Sequence, residues 1–350
     1  VTRSHTPPAG LLEVVETQRL GCQLAGSPLY ASILDVVAAD LRHGGPCARL
    51  LAPVADAPFG DAVLLRLLAG LHRLVLAGEA PELARHYPSA GGRPGRHLDH
   101  AVLEAVTAHA ASLGAALGEG VQTNEVGRSA ALVGGLLEVA AWGLPVRLLE
   151  VGASAGLNLL VDRYRYEAGD RGVGPADSPL RFVEPWAGVA PHLERRLEVA
   201  ERRGCDLRPI DPADPAGRLR LRSFVWADQL ERLARLDAAL AVVDRVGAPT
   251  VDRASAAPWA RRQLAEPAPG RATVLVHAIV AQYLDPAERG RLVAAIEAAG
   301  ARADRTAPLA WLRLEPGGDQ AELRLTAWPG GRTRLLATSA YHGPPVVWRA

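Results

Sequence analysis

The stretch "VRLLEVGASAGLNLLVDRY", Val146 to Tyr164, decides how this chain is read. Its first six residues form an apolar run carrying only Arg147 and Glu150, the texture of a buried strand. Gly152-Ala153-Ser154-Ala155-Gly156 follows and fits two different turns. As G-x-S-x-G it matches the strand–turn–helix elbow that presents a nucleophilic serine. As a strand ending in an acid, then a glycine turn, then a helix, it matches a loop that lets a nucleotide cofactor approach the backbone, with Ser154 where a middle glycine often sits.

The flanking chain weighs between the two. An elbow needs an acid and then a histidine downstream, and Asp285 with His342 can be nominated. It also sits mid-sheet, after several strands and an oxyanion loop. Here residues 1–145 read as helices, without an HGGG-like segment. "LLEVVETQRLGCQLAG", "LYASILDVVAADL" opened by Ser27-Pro28, "DAVLLRLLAGLHRLVLAG" ending at Gly78, "HLDHAVLEAVTAHAASLGAAL" and "NEVGRSAALVGGLLEVAAWG" carry helical spacing or helix signals. Ser154 is therefore read as a loop residue, with the hydrolase kept as the alternative.

After Pro145 short apolar runs alternate with helical segments, the pattern of a mainly parallel sheet with crossover helices. The expected strands are "VRLLEV", "DLRPI" before Asp211, "APTVD", "ATVLVHA" and "LAWLRLE". "AELRLTAWP" and "TRLLATSA" flank Gly330-Gly331 and read as a terminal antiparallel hairpin. "ERLARLDAALAVV" and "PAERGRLVAAIEAAG" read as crossover helices. The expected fold is α/β: an all-α region over 1–145, then a Rossmann-like domain over 146–350 with an irregular, proline-rich insertion at about 165–200.

Composition narrows the chemistry. The 350 residues are 49% hydrophobic, enough for a sizeable core, and net charge is +1 from 39 basic and 38 acidic residues. That balance does not suggest a nucleic-acid or membrane partner. Every basic residue is arginine, which excludes a Schiff-base lysine, lysine-bound pyridoxal phosphate and a Walker-A lysine. Cys22, Cys47 and Cys205 are too scattered for a disulfide framework or a zinc site. His97, Asp99 and His100 in "HLDH" read as a solvated helix start rather than metal ligands, so no metal is expected. With no signal pattern and no uninterrupted apolar span, the expectation is a soluble cytoplasmic protein.

Glu150-Val151-Gly152-x-Ser154-x-Gly156 resembles the first motif of class I S-adenosylmethionine-dependent methyltransferases, acid-aliphatic-G-x-G-x-G, with serine for the middle glycine. The resemblance implies S-adenosylmethionine over Gly152, Ala153, Ser154 and Gly156, with Glu150 supporting its amino-acid portion. It implies a ribose-binding acid at the end of the second strand: Asp211, or else Asp162 or Asp170. Asp252 or Ser255 would stand at the adenine, where a Gly-Asp pair is usual. "TVLVHAIVAQYLDPAERGRLVAAI" resembles the fourth strand and its helix, placing His277 toward the cofactor. In "QTNEVGR", Asn124, Glu125 and Arg128 would lie near the methionine end, with Arg128 pairing the cofactor carboxylate; helix capping is the structural alternative. Glu125 or His277 would serve as base if a small-molecule acceptor must lose a proton. The helical region would cover the cofactor and form the acceptor pocket.

The chain also resembles a bacterial family of uncharacterised proteins through "SPLY" (27–30), "HYPS" (86–89), "QTNEVGRSAAL" (122–132), "LLEVGASAGLNLLVDRY" (148–164), "DSPL" (177–180) and "LTAWPGGRTRLLAT" (325–338). That family implies a helical region joined to a methyltransferase-like Rossmann domain, without a substrate. The expected function is a methyltransferase for a small molecule. The alternatives are a hydrolase using Ser154, a nicotinamide enzyme, or a non-catalytic cofactor-binding protein on the same fold.

Overall fold

The computed structural model describes residues 9–57 and 61–349. The first helices are α1 (Ala9–Leu24), α2 (Pro28–His43), α3 (Pro46–Leu51), α4 (Val63–Leu76), α5 (Pro81–Ala84), α6 (Leu98–Ala108), α7 (Ala110–Leu117) and α8 (Ser129–Ala140). Next come β1 (Val146–Val151), β2 (Arg165–Ala168), β3 (Arg171–Val173), β4 (Arg181–Val183) and β5 (Val199–Asp206). After these follow α9 (Pro215–Ser223), α10 (Leu230–Val246), β6 (Val251–Arg253), α11 (Ala256–Gln263), β7 (Ala272–Ala278) and α12 (Pro286–Gly300). The chain closes with β8 (Leu309–Pro316), β9 (Ala321–Trp328), β10 (Arg332–Ala340) and β11 (Gly343–Trp348).

Two compact units result: one from the chain up to Thr123 with Pro215–Ala234, the other from Asn124–Asp214 and Arg235 onward. The division at Thr123 differs from the boundary read at 145, because α8 folds with the sheet. In the helical unit, α2 and α4 supply a fully buried stripe that includes Ile33, Leu34, Val37, Leu67, Leu71 and Leu74. Ser27 occupies the N-cap position of α2, but its side chain makes no cap bond within the helix. Instead Ser27 Oγ donates to Asp228 Oδ1 at 2.6 Å, and Asp228 Oδ2 accepts the Leu29 amide at 3.0 Å. A carboxylate from the later segment thus caps the helix start, where negative charge is favoured. The single helix read through "HLDHAVLEAVTAHAASLGAAL" breaks at His109 into α6 and α7.

In the other unit one eight-stranded sheet runs β11-β10-β9-β8-β7-β1-β5-β6. β6, β5, β1, β7 and β8 are mutually parallel, and β8 to β11 form an antiparallel meander. This is a mixed α/β architecture with a large, mostly parallel sheet. Every residue of β7 and all but Arg147 of β1 are buried, as expected for central parallel strands covered on both faces. One face packs Leu149, Val151 and Leu275 against Trp259 of α11 and Leu292 and Ile296 of α12. β11 escaped the sequence reading because Pro344 and Pro345 argue against a strand, yet at the sheet edge a proline breaks no ladder.

The segment expected to be irregular at 165–200 instead holds a second sheet, β3-β2-β4. Tyr166 and Phe182 stack across it with centroids 5.0 Å apart. Among the described residues no helix is long and apolar enough to cross a membrane.

Candidate functional site

The strand order reverses at β1, which lies between β5 and β7. In open parallel sheets that reversal opens a crevice at the carboxyl ends of the strands. The residues there are Glu150 and the glycine turn after β1, Asp206 at the end of β5, and His277 near the end of β7.

Backbone bonds define the turn. The amide of Ala153 donates to Cys205 O (3.0 Å), that of Ser154 to Asp206 Oδ2 (3.0 Å), and that of Gly156 to Ala153 O (2.7 Å). Asn124 Oδ1 accepts from both Ala155 N (3.2 Å) and Leu157 N (3.0 Å). All amides from Ala153 to Leu157 therefore have acceptors within the protein. Asn124, read as a cofactor contact, shapes the loop itself. The α-helix expected after the turn is replaced by a 3-10 turn over Leu157–Arg163. Asn124 draws in the Leu157 amide, and Tyr164 and Tyr166 donate their hydroxyls to Leu157 O and Val161 O. No α-helix dipole is available at this loop, so the turn does not cradle an anion in the manner of a phosphate loop.

Ser154 adopts φ +53°, in the left-handed region that side chains avoid. Ser154→Gly removes a penalty of about 1–2 kcal/mol, set against about 0.5–1 kcal/mol of added backbone entropy and the loss of the buried side chain's own interaction. The variant is expected to match wild-type stability within about 1 kcal/mol in urea unfolding. A loss well beyond that would show that the serine side chain stabilises the turn.

Glu150 is 2% exposed, and its Oε2 is buried with no hydrogen-bond partner among the described residues. Burial pushes its pKa up to about 8, and the charge of Asp206 adds to the rise, while a hydrogen bond from Asn158 and the charge of Arg128 act against it. Asn158 Oδ1 in turn accepts from Ser129 Oγ at 2.9 Å. An orphaned buried carboxyl oxygen costs about 1–3 kcal/mol or more. In its ionised form it calls for a donor or a cation.

The acid at the end of the second parallel strand is Asp206, not Asp211. β5 ends four residues before "RPI" does, and Asp211 lies exposed in the turn beyond, where its Oδ1 accepts the Ala213 amide. Asp206 is half-buried, accepting Ser154 N on Oδ2 and Arg208 N (2.8 Å) on Oδ1. A carboxylate has about four acceptor sites, so Asp206 retains capacity for further donors. Sequence reasoning missed it because Arg202 and Arg203 disguise β5 as a polar segment. Both are neutralised: Arg202 pairs with Asp162 at 2.7 and 3.0 Å, and Arg203 with Asp252 at 2.7 and 2.8 Å. Asp162 is thereby taken up, and Asp170 sits exposed beside β3. Asp252 also accepts from Trp259 Nε1 (2.7 Å), and the Arg203 bond first, then that of Trp259, hold its carboxyl below the usual range against burial. Asp252 thus tethers β5 and α11, and Ser255 is exposed ahead of α11 without a side-chain cap bond.

Glu125 and Arg128 are both buried. Glu125 Oε1 accepts the Gly127 amide at 3.0 Å and lies 4.0 Å from Arg235 Nη1, while Oε2 lies 3.7 Å from His342 Nδ1. Arg128 donates through Nε to Tyr341 O and through Nη1 to Ala278 O, both at 3.0 Å. These two bonds tie Arg128 to the carbonyl that ends β7 and to one just after β10.

His277 is 4% exposed, and both ring nitrogens are engaged. Trp311 Nε1 donates to His277 Nε2 at 2.9 Å, and His277 Nδ1 lies 2.5 Å from Glu315 Oε1. An indole N–H can only donate, so Nε2 accepts and Nδ1 carries the proton. This arrangement leaves no nitrogen lone pair for the base role read from the sequence.

No curated protein and no solved structure matches the chain. A family match runs over residues 13–348, nearly the whole length. The chain therefore belongs to the bacterial family described as "uncharacterized protein conserved in bacteria" (DUF2332).

Proposed function

We propose that this protein is an S-adenosylmethionine-dependent methyltransferase acting on a small-molecule acceptor. The observation that carries the reading is Glu150, a buried carboxyl with an orphaned oxygen at the switch point of the sheet. S-adenosylmethionine bears an ammonium and a sulfonium, and either cation suits such a carboxylate. Asp206, on the neighbouring strand end, has acceptor capacity for the ribose hydroxyls. The parallel order β6-β5-β1-β7-β8 matches the 3-2-1-4-5 core of doubly wound nucleotide-binding sheets.

When bound, the cofactor supplies an electrophilic methyl group. The protein's own part is to hold acceptor and cofactor in line and to exclude water. If the acceptor must lose a proton, Glu125 beside His342 is the assigned base.

The loop favours this reading over the hydrolase. An elbow serine uses the amide of the following residue for its oxyanion hole. Here that amide, Ala155 N, is already taken by Asn124 Oδ1.

Calorimetry with S-adenosylmethionine, S-adenosylhomocysteine and NAD tests the proposal. Saturable binding of both sulfur compounds and none of NAD is expected. NAD binding alone, or no binding at all, sinks it. A stoichiometric fluorophosphonate adduct on Ser154, found by intact mass, would reinstate the hydrolase.

A further inference from the structure

The backbone after β7 is held in a conformation its sequence resists. Ile279 has φ +56°, and a β-branched residue in the left-handed region is a strong outlier. It is also 7% exposed, so it is enclosed by protein. Each peptide group around it is tied down separately. Arg128 Nη1 donates to Ala278 O at 3.0 Å, and Ile279 N donates to Leu314 O at 2.8 Å. Val280 N donates to Glu315 Oε1 at 3.0 Å, and Ala281 N reaches both Glu315 oxygens at 3.3 Å.

Glu315 is the centre of this clamp, and His277 fixes it. Burial opposes its charge, but the hydrogen bond to His277 and the two backbone amides outweigh burial and keep its carboxyl below the usual range. Trp311 in turn sets the His277 tautomer, so the chain Trp311–His277–Glu315 ends on two backbone amides. The held segment faces the glycine turn: a Cβ at Gly152 would stand 2.6 Å from Val280 Cγ2. Strain of this kind persists only where surrounding structure over-determines it, and it gathers at ligand sites.

We propose that His277 and Glu315 are positioning residues that hold Ile279–Ala281 as the rigid β7 wall of the switch-point crevice, and that His277 transfers no proton. The identity of the ligand rests on the methyltransferase reading; the clamp does not.

The test joins site-resolved amide exchange with S-adenosylhomocysteine calorimetry on the full chain. In Glu315→Leu, exchange at Val280 and Ala281 should accelerate at least about tenfold, the equivalent of about 1.4 kcal/mol of lost local protection, while β1 amides stay protected. Affinity for S-adenosylhomocysteine should fall by about tenfold or more. His277→Asn places an amide donor where Nδ1 stands but cannot act as a base. It should keep wild-type protection at both amides and affinity within about threefold of wild type, whereas His277→Leu should lose both. Unchanged exchange in Glu315→Leu overturns the clamp, as does rapid exchange in a folded His277→Asn, which decides the matter should Glu315→Leu fail to fold. Faster exchange with undiminished affinity overturns the wall. A wild type that binds no S-adenosylhomocysteine refutes the cofactor reading instead, and the exchange results still decide the clamp.

Discussion

Glu150→Gln is expected to weaken S-adenosylmethionine about 10- to 100-fold, the loss of one charge-assisted contact, and to abolish the proton release that accompanies binding. With a pKa pushed up to about 8, the wild-type carboxyl is largely protonated at neutral pH. A cationic ligand requires the carboxylate, so binding at pH 7 must expel close to one proton. Calorimetry in two buffers of different ionisation enthalpy counts it. Affinity should rise with pH and level off above about 8, where the free protein is already ionised. Unchanged affinity in the variant, or the same proton release, would remove Glu150 from the site.

The same group shapes stability, and the sign follows from linkage. Unfolded, it loses its proton near the ordinary 4.5; folded, it keeps the proton until about 8. Between these values the folded state binds more protons, so stability falls as pH rises. The contribution is fully present below the unfolded value and is gone once pH has passed the folded one. A gap of this size corresponds to on the order of 5 kcal/mol. Glu150→Gln should lack this slope, and its advantage over wild type should be greatest above pH 8. Urea unfolding across pH reads the difference in slope directly.

Gly152→Val is expected to destabilise the protein by about 2–5 kcal/mol, even without a ligand. The residue has φ +69°, where a β-branched side chain pays about 1–2 kcal/mol. Its Cβ would also lie 2.6 and 2.9 Å from the two γ carbons of Val280. Val280 cannot retreat easily, because its amide is bound to Glu315. Overpacking of this kind costs about 1–3 kcal/mol more. Gly152→Ala bears the same backbone penalty with less bulk and should fall between. Urea midpoints measure the series; a Val variant within about 1 kcal/mol of wild type would mean that the turn does not hold this conformation. A glycine that looks reserved for a cofactor is thus already required by a protein contact, so loss of binding in this variant is not by itself proof of a ligand site.

The central strands were legible because they are buried on both faces. "VRLLEV" and "ATVLVHA" are apolar runs that match β1 and β7 residue for residue. β5 was not, since Arg202 and Arg203 give it a polar texture that makes sense only beside Asp162 and Asp252. The acid was therefore sought five residues too late in the chain. β11 was hidden by two prolines that only an edge position tolerates. The roles of Asn124, Arg128 and His277 were equally invisible. Their residue types suited ligand contacts, and only their partners revealed loop shaping, strand tying and a clamped tautomer.

The sequence by itself determined the alternation of strands and helices, the strand–acid–glycine turn at Val146–Gly156, and the absence of every lysine-based chemistry. These follow from local periodicity, backbone demands and composition, which need no neighbours. Tertiary structure alone decided which acid meets the turn, why Glu150 keeps a proton near neutrality, and why Ile279 endures a left-handed backbone. Each of those depends on what surrounds a group: desolvation, opposing charge and hydrogen-bond partners come from residues far off in the chain, and no local pattern encodes them.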